Sequence, residues 1–305
     1  MKQPDCLISV IICTYNRANR LDMLFEALIK LRSENNASTE FIFVDNNSSD
    51  NTQQKIESFA QLLSFPVRCL HENKKGSSAA RNKGIFAASG EIIAFLDDDC
   101  FPDPDWLVNL QDYFSQQDVD VAGGKVLLFD PLDLPISIRT CDSEVCVEDI
   151  SQVLGTIPGC NMAFRRHALD EVGVFDEDLG AGLPLAAEDV DLLYRAFRSG
   201  FSLRYTPVFC VYHNHGRRTE RDAYLLNRSY VKGRGGFYAK YILHGDWAIA
   251  KRAYWEIFGL CRNAIKGVSR RNSKSYVLDI AFLTRGFSLV LWNIVIKNKH
   301  SLERR

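Results

Sequence analysis

The feature that most constrains this chain is a unit repeated near its start, in which an apolar, β-branched run leads into apolar residues at helical spacing. Residues 7–15 form the first run, and Leu21, Leu24, Phe25, Leu28 and Leu31 follow on one side of a helix expected over 20–31. The unit returns as a strand over 41–44 with a helix over 52–63, and as a strand over 67–70 with a helix over 77–88. A further strand is expected at 91–96. Nearly continuous apolar strands alternating with helices predict an α/β fold whose central sheet is mostly parallel and flanked by helices. Ligands of such sheets sit beyond the carboxyl ends of the strands. The candidate site therefore lies in the polar residues that follow the strands: Thr14, Tyr15 and Asn16, then residues 45–50, then residues 97–99.

A second half over 119–215 carries strands at 121–129, 161–164 and 202–212, with a helix starting near Glu188. Beyond Arg217 the strand signal gives way to long basic, aromatic, helical stretches. The expected division is a body over 1–216 and a helical region over 217–305. Charge follows it: 19 of the 37 Lys and Arg but 6 of the 38 Asp and Glu lie after Gly216, leaving about −14 on the body and about +13 on the tail. The nine cysteines are scattered among apolar residues with no CxxC pair, which predicts reduced core cysteines and a cytoplasmic protein. The early apolar run has Asp5 at its edge and no small-residue cleavage site after it, so it reads as a strand rather than a secretory signal.

The tail holds Trp247, Trp255 and Trp292 with Tyr254 and Phe258, interleaved with Lys and Arg. That pattern suits helices lying on an anionic membrane surface, and equally an ordinary lobe packing its aromatics inward. Residues 276–296 approach membrane length, but Asp279 and Arg285 break the run, so no spanning helix is expected there. The chain has no nucleic-acid recognition motif and its body is acidic, so no nucleic-acid partner is expected.

Five constellations point to chemistry. Asp97, Asp98 and Asp99 close a strand, and three converging carboxylates suit a hard divalent cation, Mn²⁺ or Mg²⁺, shared with substrate phosphates. A lone acidic triplet before Pro102 would be an ordinary solvated turn; its place at a strand end favours the cation. Asp45 ends the second strand, where a carboxylate can accept a nucleobase N–H, while Ser48 to Asp50 suit helix capping. The segment from Gly76 to Gly84 opens a helix and offers Arg81 and Lys83 to phosphate oxygens; the GxGxxG dinucleotide pattern is absent. Glu188 and Asp189 open a helix. Carboxylates are favoured there by the helix dipole, and either can serve as the base for an attacking hydroxyl. Asp191 and Arg195 read as an i,i+4 surface pair. His213 and His215 end the last strand of the body, and either can add an imidazole to a metal held by carboxylates.

With these pieces in order, the chain resembles the family 2 glycosyltransferases, whose nucleotide-binding fold is called GT-A. The matching stretches are VIICTYNR (10–17), VDNNSSD (44–50), GSSAARNKG (76–84), AFLDDDC (94–100), PGCNMAFRR (158–166), VGVFDEDL (172–179) and AEDVDLLYR (187–195). Seven in the family's order carry the resemblance. It implies that Thr14, Tyr15 and Asp45 hold the nucleoside of a nucleotide-sugar donor, with Arg81 near the base or the phosphates. It makes Asp97 and Asp99 the outer acids of a DxD motif on Mn²⁺ or Mg²⁺, with Asp98 in the middle position beside the donor. Asp189 would be the catalytic base and Glu188 its acidic neighbour at the acceptor. His213 sits where relatives carry a metal-ligating histidine, and His215 is close enough to leave the choice open. The implied reaction is an in-line, inverting transfer of a sugar to a hydroxyl of a glycan, polysaccharide or lipid-linked acceptor. A nucleotidyltransferase and a non-catalytic nucleotide-sugar-binding protein share parts of this pattern.

Overall fold

The structure, a computed structural model, describes residues 8–33, 38–266 and 273–302; Cys6 lies outside them. It divides into two compact units. The first comprises Met1–Glu177 and Asp189–Thr219, and the second Asp178–Glu188 and Glu220–Arg305.

In the first unit the strand–helix alternation gives β1 (Ile8–Thr14), α1 (Leu21–Ile29), β2 (Thr39–Asp45), α2 (Thr52–Ala60), β3 (Val67–His71), α3 (Ser77–Ala87) and β4 (Ile92–Asp97). There follow β5 (Cys100–Pro102), α4 (Trp106–Gln116), β6 (Val121–Leu128), β7 (Val145–Cys146), α5 (Ile150–Val153), β8 (Asn161–Arg165), α6 (Arg166–Val172), α7 (Glu188–Arg198) and β9 (Leu203–His213). Among the described residues the strands form one sheet ordered β3-β2-β1-β4-β8-β6-β9-β5, with β7 paired to β9. Parallel pairing holds through β3-β2-β1-β4 and between β6 and β9. β8 runs antiparallel to both β4 and β6, and β5 antiparallel to β9. The alternation of strands and helices does not announce these reversals, because β5 and β8 are reached without a long crossover helix.

The periodic residues of α1 are those it buries: Leu21, Leu24, Phe25 and Leu28. Phe25 stacks on Phe59 of α2 at 3.9 Å and meets the edge of Phe43, so both helices seat on one face of β2. On α3, a Cβ at Gly84 would stand 2.5 Å from Ile11 Cγ2, so glycine there lets the helix lie against β1. Asn161 is fully buried. It takes the Trp106 indole N–H at 2.9 Å and donates to the Lys125 carbonyl at 3.0 Å, joining α4, β6 and β8.

In the second unit α8 (Glu220–Leu243), α9 (Trp247–Lys266) and α10 (Ser273–Leu302) pack together. The glycine-rich stretch of α8 explains the packing. A Cβ at Gly235 would lie 2.1 Å from the Leu283 carbonyl oxygen of α10, and one at Gly233 would lie 1.9 Å from the Ala186 carbonyl oxygen. These helix and loop backbones touch where no larger residue fits, which is why Asp178–Glu188 groups with the helices rather than with its neighbours in sequence. One helical stretch, Ser275–Asn293, is long and apolar enough to cross a membrane, with a mean hydropathy of 1.3. Its Asp279 is buried and accepts a hydrogen bond from Asn227 of α8 at 3.1 Å.

Candidate active site

The parallel register sets Thr14 beside Asp45 and Cys13 beside Asp97, so β1, β2 and β4 end level at one edge of the sheet. Their loops are tied to one another. Asn16 donates its N–H to Ser48 Oγ at 2.8 Å and accepts the Ser49 N–H at 2.8 Å, while the Ala18 N–H reaches Asp50 at 3.1 Å. Asn16 and Asn47 take positive φ values, which asparagine tolerates better than most residues. The capping expected of Ser48 to Asp50 falls to Asp50, whose carboxylate accepts the Thr52 N–H at 3.1 Å at the start of α2, while the N-cap residue Asn51 makes no side-chain cap and the Ser48 hydroxyl serves the loop after β1. Asn46 performs the same tying for the next loop, donating to the Lys74 carbonyl and accepting the Gly76 N–H.

The Asp97–Asp99 turn is held from both sides. The Asp97 N–H points to the Cys160 carbonyl at 3.4 Å, and the Asn214 N–H donates to the Asp99 carbonyl at 2.8 Å. The sequence suggests three carboxylates in need of a cation, but protein cations already face them. Arg81 donates to Asp97 at 3.0 Å, and Arg17 lies 3.4 Å from Asp98 and 3.5 Å from Asp99. Arg17 is the residue the sequence reading missed; its signal was its place three residues after Thr14 in the first motif. Asp97 remains partly exposed, whereas Asp98 is buried, and burial pushes its carboxyl up to about 7 with Arg17 opposing. For Asp99 burial also opposes the charge, yet His213, Arg17 and Arg217 together lower its pKa. Burial likewise opposes protonation of His213, but Asp99 beside it brings its pKa up to about 9.

The two histidines have different surroundings. His213 Nδ1 hydrogen-bonds the Ser137 carbonyl at 3.1 Å, which fixes the ring and leaves Nε2 facing Asp99 Oδ1 at 3.4 Å. His215 Nδ1 accepts the Arg217 N–H at 3.0 Å, and its Nε2 is buried with no partner. Asp133 braces this segment, accepting the Gly216 N–H at 2.8 Å and Arg218 at 3.1 Å.

Donor chemistry here suits a hard cation. The Asp99–His213 gap of 3.4 Å is long for a hydrogen bond and close to the roughly 3 Å between neighbouring ligands on one ion. The Thr14 hydroxyl is buried beside Asp98 without reaching hydrogen-bond geometry, a polar atom that a bound ligand can satisfy. Asp45 is buried and accepts the Ser48 N–H at 3.3 Å and His71 Nδ1 at 3.2 Å; Tyr15 is exposed. Arg81 lies over the Phe175 ring at 5.4 Å, and Phe175 is pinned to α3 by paired hydrogen bonds with Asn82.

Asp189 accepts the Val190 N–H at 2.8 Å and lies against Gly159, where a Cβ would stand 2.5 Å from Asp189 Oδ2. One residue beyond Gly159, the Cys160 carbonyl faces the Asp97 amide, so a single peptide spans from the helix-borne acid to the acidic turn. Glu188 belongs to the second unit, where it accepts the Ala181 N–H at 3.3 Å. Two expectations are corrected. Asp191 is not a surface acid: it is fully buried, and Arg195, bonded to it at 3.0 Å, also donates to the Val172 and Val174 carbonyls and so clamps that segment to α7. The described cysteines are free thiols, but Cys69, Cys146 and Cys261 are exposed rather than core residues.

The architecture, with its acidic turn at the carboxyl edge of a mixed α/β sheet, is that of the GT-A glycosyltransferases. Two family models match, "Glycosyl transferase family 2" over residues 9–173 and "Glycosyl transferase family group 2" over residues 92–296, the second running on into the helical unit. The chain belongs to glycosyl transferase family 2. It is 31% identical to the glycosyltransferase AglE of Haloferax volcanii over 65% of this chain and 64% of that one. It is 26% identical to the glucosyl-dolichyl phosphate glucuronosyltransferase of the same organism over 74% and 75%. The match to a pre-mycofactocin glycosyltransferase of Mycobacterium tuberculosis, at 30% identity, spans 53% of this chain and only 35% of that relative. Among solved structures, the mannosyltransferase PcManGT of Pyrobaculum calidifontis in complex with GDP-Man and Mn²⁺ superposes with a TM-score of 0.62 at 18% identity, covering 94% of this chain and 87% of that one. S. aureus TarS 1–349 in complex with UDP-GlcNAc gives 0.56 at 22% identity, over 75% and 66%.

Proposed function

We propose that the body catalyses metal-dependent, inverting transfer of a sugar from a nucleoside-diphosphate donor to an acceptor hydroxyl. The observation that carries this reading is that Asp99 faces His213 at 3.4 Å at the sheet edge where β4 ends in Asp97, with Asp189 one peptide away across Gly159 and Cys160. Asp97, Asp99 and His213 Nε2 would hold Mn²⁺ or Mg²⁺, which supplies Lewis-acid stabilisation of the leaving diphosphate. Thr14, Tyr15 and Asp45 receive the nucleoside. Arg81 and Arg17, already beside the acids, are placed to neutralise phosphate oxygens. Asp189 takes the proton of the attacking hydroxyl. Glu188, anchored through Ala181, shapes the acceptor side.

The Asp189→Asn variant tests the base. Donor and Mn²⁺ binding, read by thermal shift, should persist while turnover falls about 100-fold or more. Unchanged turnover removes Asp189 from the role, and loss of donor binding with it points to a positioning residue instead. A nucleotide-sugar that raises the melting temperature only with Mn²⁺ present supports the metal reading; stabilisation that ignores the metal refutes it.

For the acceptor, the same proposal extends to a lipid-linked glycan met at the cytoplasmic face of a membrane. Support comes from α9, where Trp247, Tyr254, Trp255 and Phe258 fall at i, i+7, i+8 and i+11 and are all exposed, with Lys251 and Arg262 on the same stripe. The dolichyl phosphate named for one relative points the same way.

A further inference from the structure

Beside the carboxylates lies a second ligand set of different chemistry. Cys100 on β5, Cys160 before β8 and His213 at the end of β9 place one sulfur, one sulfur and one ring nitrogen within 4.8 Å of one another. The fold creates this meeting: β5 pairs antiparallel with β9, setting Cys100 directly across from His213. Cys160 is brought in by the bond from the Asp97 amide to its carbonyl. Cys100 and His213 are buried and Cys160 is partly so, which shields the cluster while leaving a way in. The imidazole is oriented as a ligand needs, because Nδ1 bonds the Ser137 carbonyl and so leaves Nε2 as the donor nitrogen. Ser137 itself holds a positive φ of 55°, so the backbone is bent to present that carbonyl.

Two thiolates and one imidazole are the donors of a soft or borderline cation, not of Mg²⁺ or Mn²⁺. We propose that Cys100, Cys160 and His213 bind Zn²⁺ in a tetrahedral site, with the fourth position left to water or to Asp99, whose Oδ1 is 3.4 Å from His213 Nε2. Ligands for such a site stand roughly 3.5–4 Å apart, so the observed spacing closes with small side-chain movements. Binding releases both thiol protons and the His213 Nε2 proton to solvent, and uptake therefore weakens as pH falls. His213 stands between an oxygen set and a sulfur set. Zn²⁺ on the sulfur side withdraws that imidazole from the cation of the transfer reaction, so Zn²⁺ acts as an inhibitor of the Mn²⁺-supported enzyme. The binding site stands independently of the transferase reading; only the inhibition rests on it.

The test uses the full chain, stripped with a chelator and kept reduced. Co²⁺ titration, a spectroscopic stand-in for Zn²⁺, should give a thiolate-to-metal charge-transfer band that saturates at one equivalent and is bleached by Zn²⁺. Cys100→Ser and Cys160→Ser should each reduce the band to about half its intensity or less, since one thiolate is left, and a competing chromophoric chelator should show Zn²⁺ affinity falling at least about tenfold, since each removes one of three ligands. Cys160 is the less buried of the two, so Cys160→Ser carries the test if Cys100→Ser does not fold, with melting curves as the check. Absence of the band in the unaltered protein, or its undiminished intensity in Cys160→Ser, overturns the proposal. Zn²⁺ binding without any sugar transfer leaves the site intact and sinks the transferase reading, whereas transfer without the band does the reverse.

Discussion

Glu40 lies at the end of β2 remote from the acidic turn, and it holds the sheet by charge. Its Oε1 accepts the Ser9 hydroxyl, the Ser89 N–H and the Ser89 hydroxyl, each at 2.7 Å, and Arg68 lies 3.6 Å from Oε2. Burial alone would raise its pKa, but these bonds outweigh it and the value is lowered. A carboxyl whose folded pKa is depressed contributes stability that is fully present above its unfolded value, near ~4.3, and is lost as pH falls through the folded value. Glu40→Gln should cost about 1–3 kcal/mol in urea titrations at neutral pH. The gap between the two proteins should narrow in acid, and a gap that stays constant across the pH range would show that shape rather than charge is responsible. At this scale the sequence displayed Asp45, Asp97, Asp99 and Asp189, because carboxylates at a strand or helix end stand out. It hid Arg17 and Glu40, whose partners lie far off along the chain.

Among the elements, the loop before β8 connects the most. Its Gly159 lies under Asp189, its Cys160 faces the Asp97 amide, and its Asn161 is bonded into α4 and β6. Gly159→Ala places a methyl group where the Asp189 carboxylate now sits. The fold and the donor affinity should persist, while turnover falls on the order of 100-fold, the usual cost of an ångström's displacement of a reacting group. Steady-state kinetics would separate the outcomes: a loss confined to kcat supports the displacement, and a loss confined to KM contradicts it. The PGCN motif was visible in the sequence. Its contact with α7 was not, since nothing in a linear pattern tells which glycine lacks a side chain because another residue occupies the space.

For the molecule as a whole, the charge asymmetry and the exposed aromatic stripe of α9 are the features on which the proposed contact with anionic lipid rests. The double variant Trp255→Ala with Phe258→Ala removes two exposed rings and leaves the buried face of the helix untouched. Its co-sedimentation with anionic vesicles should weaken several-fold against the unaltered chain, and added salt should weaken both by screening the Lys and Arg contribution. Equal binding by the two proteins would assign the rings to some other contact. The helical unit also shows how far a boundary read from composition can reach. Glu220 opens the helices, close to where the strand signal ends, yet Asp178–Glu188 joins them from within the body's sequence, through the glycines of α8.

By itself the sequence determined the strand and helix order from β1 to β4 and the ends at which its acids emerge, because periodicity and strand termini are local properties of the chain. Only the tertiary structure decided what those acids meet. The antiparallel course of β8, the pairing of β5 with β9, the arginines facing Asp97 to Asp99, and the sharing of His213 between oxygen and sulfur neighbours all arise between residues distant in the chain. Such contacts follow from close packing of the finished sheet, and no pattern of neighbours along the backbone encodes them.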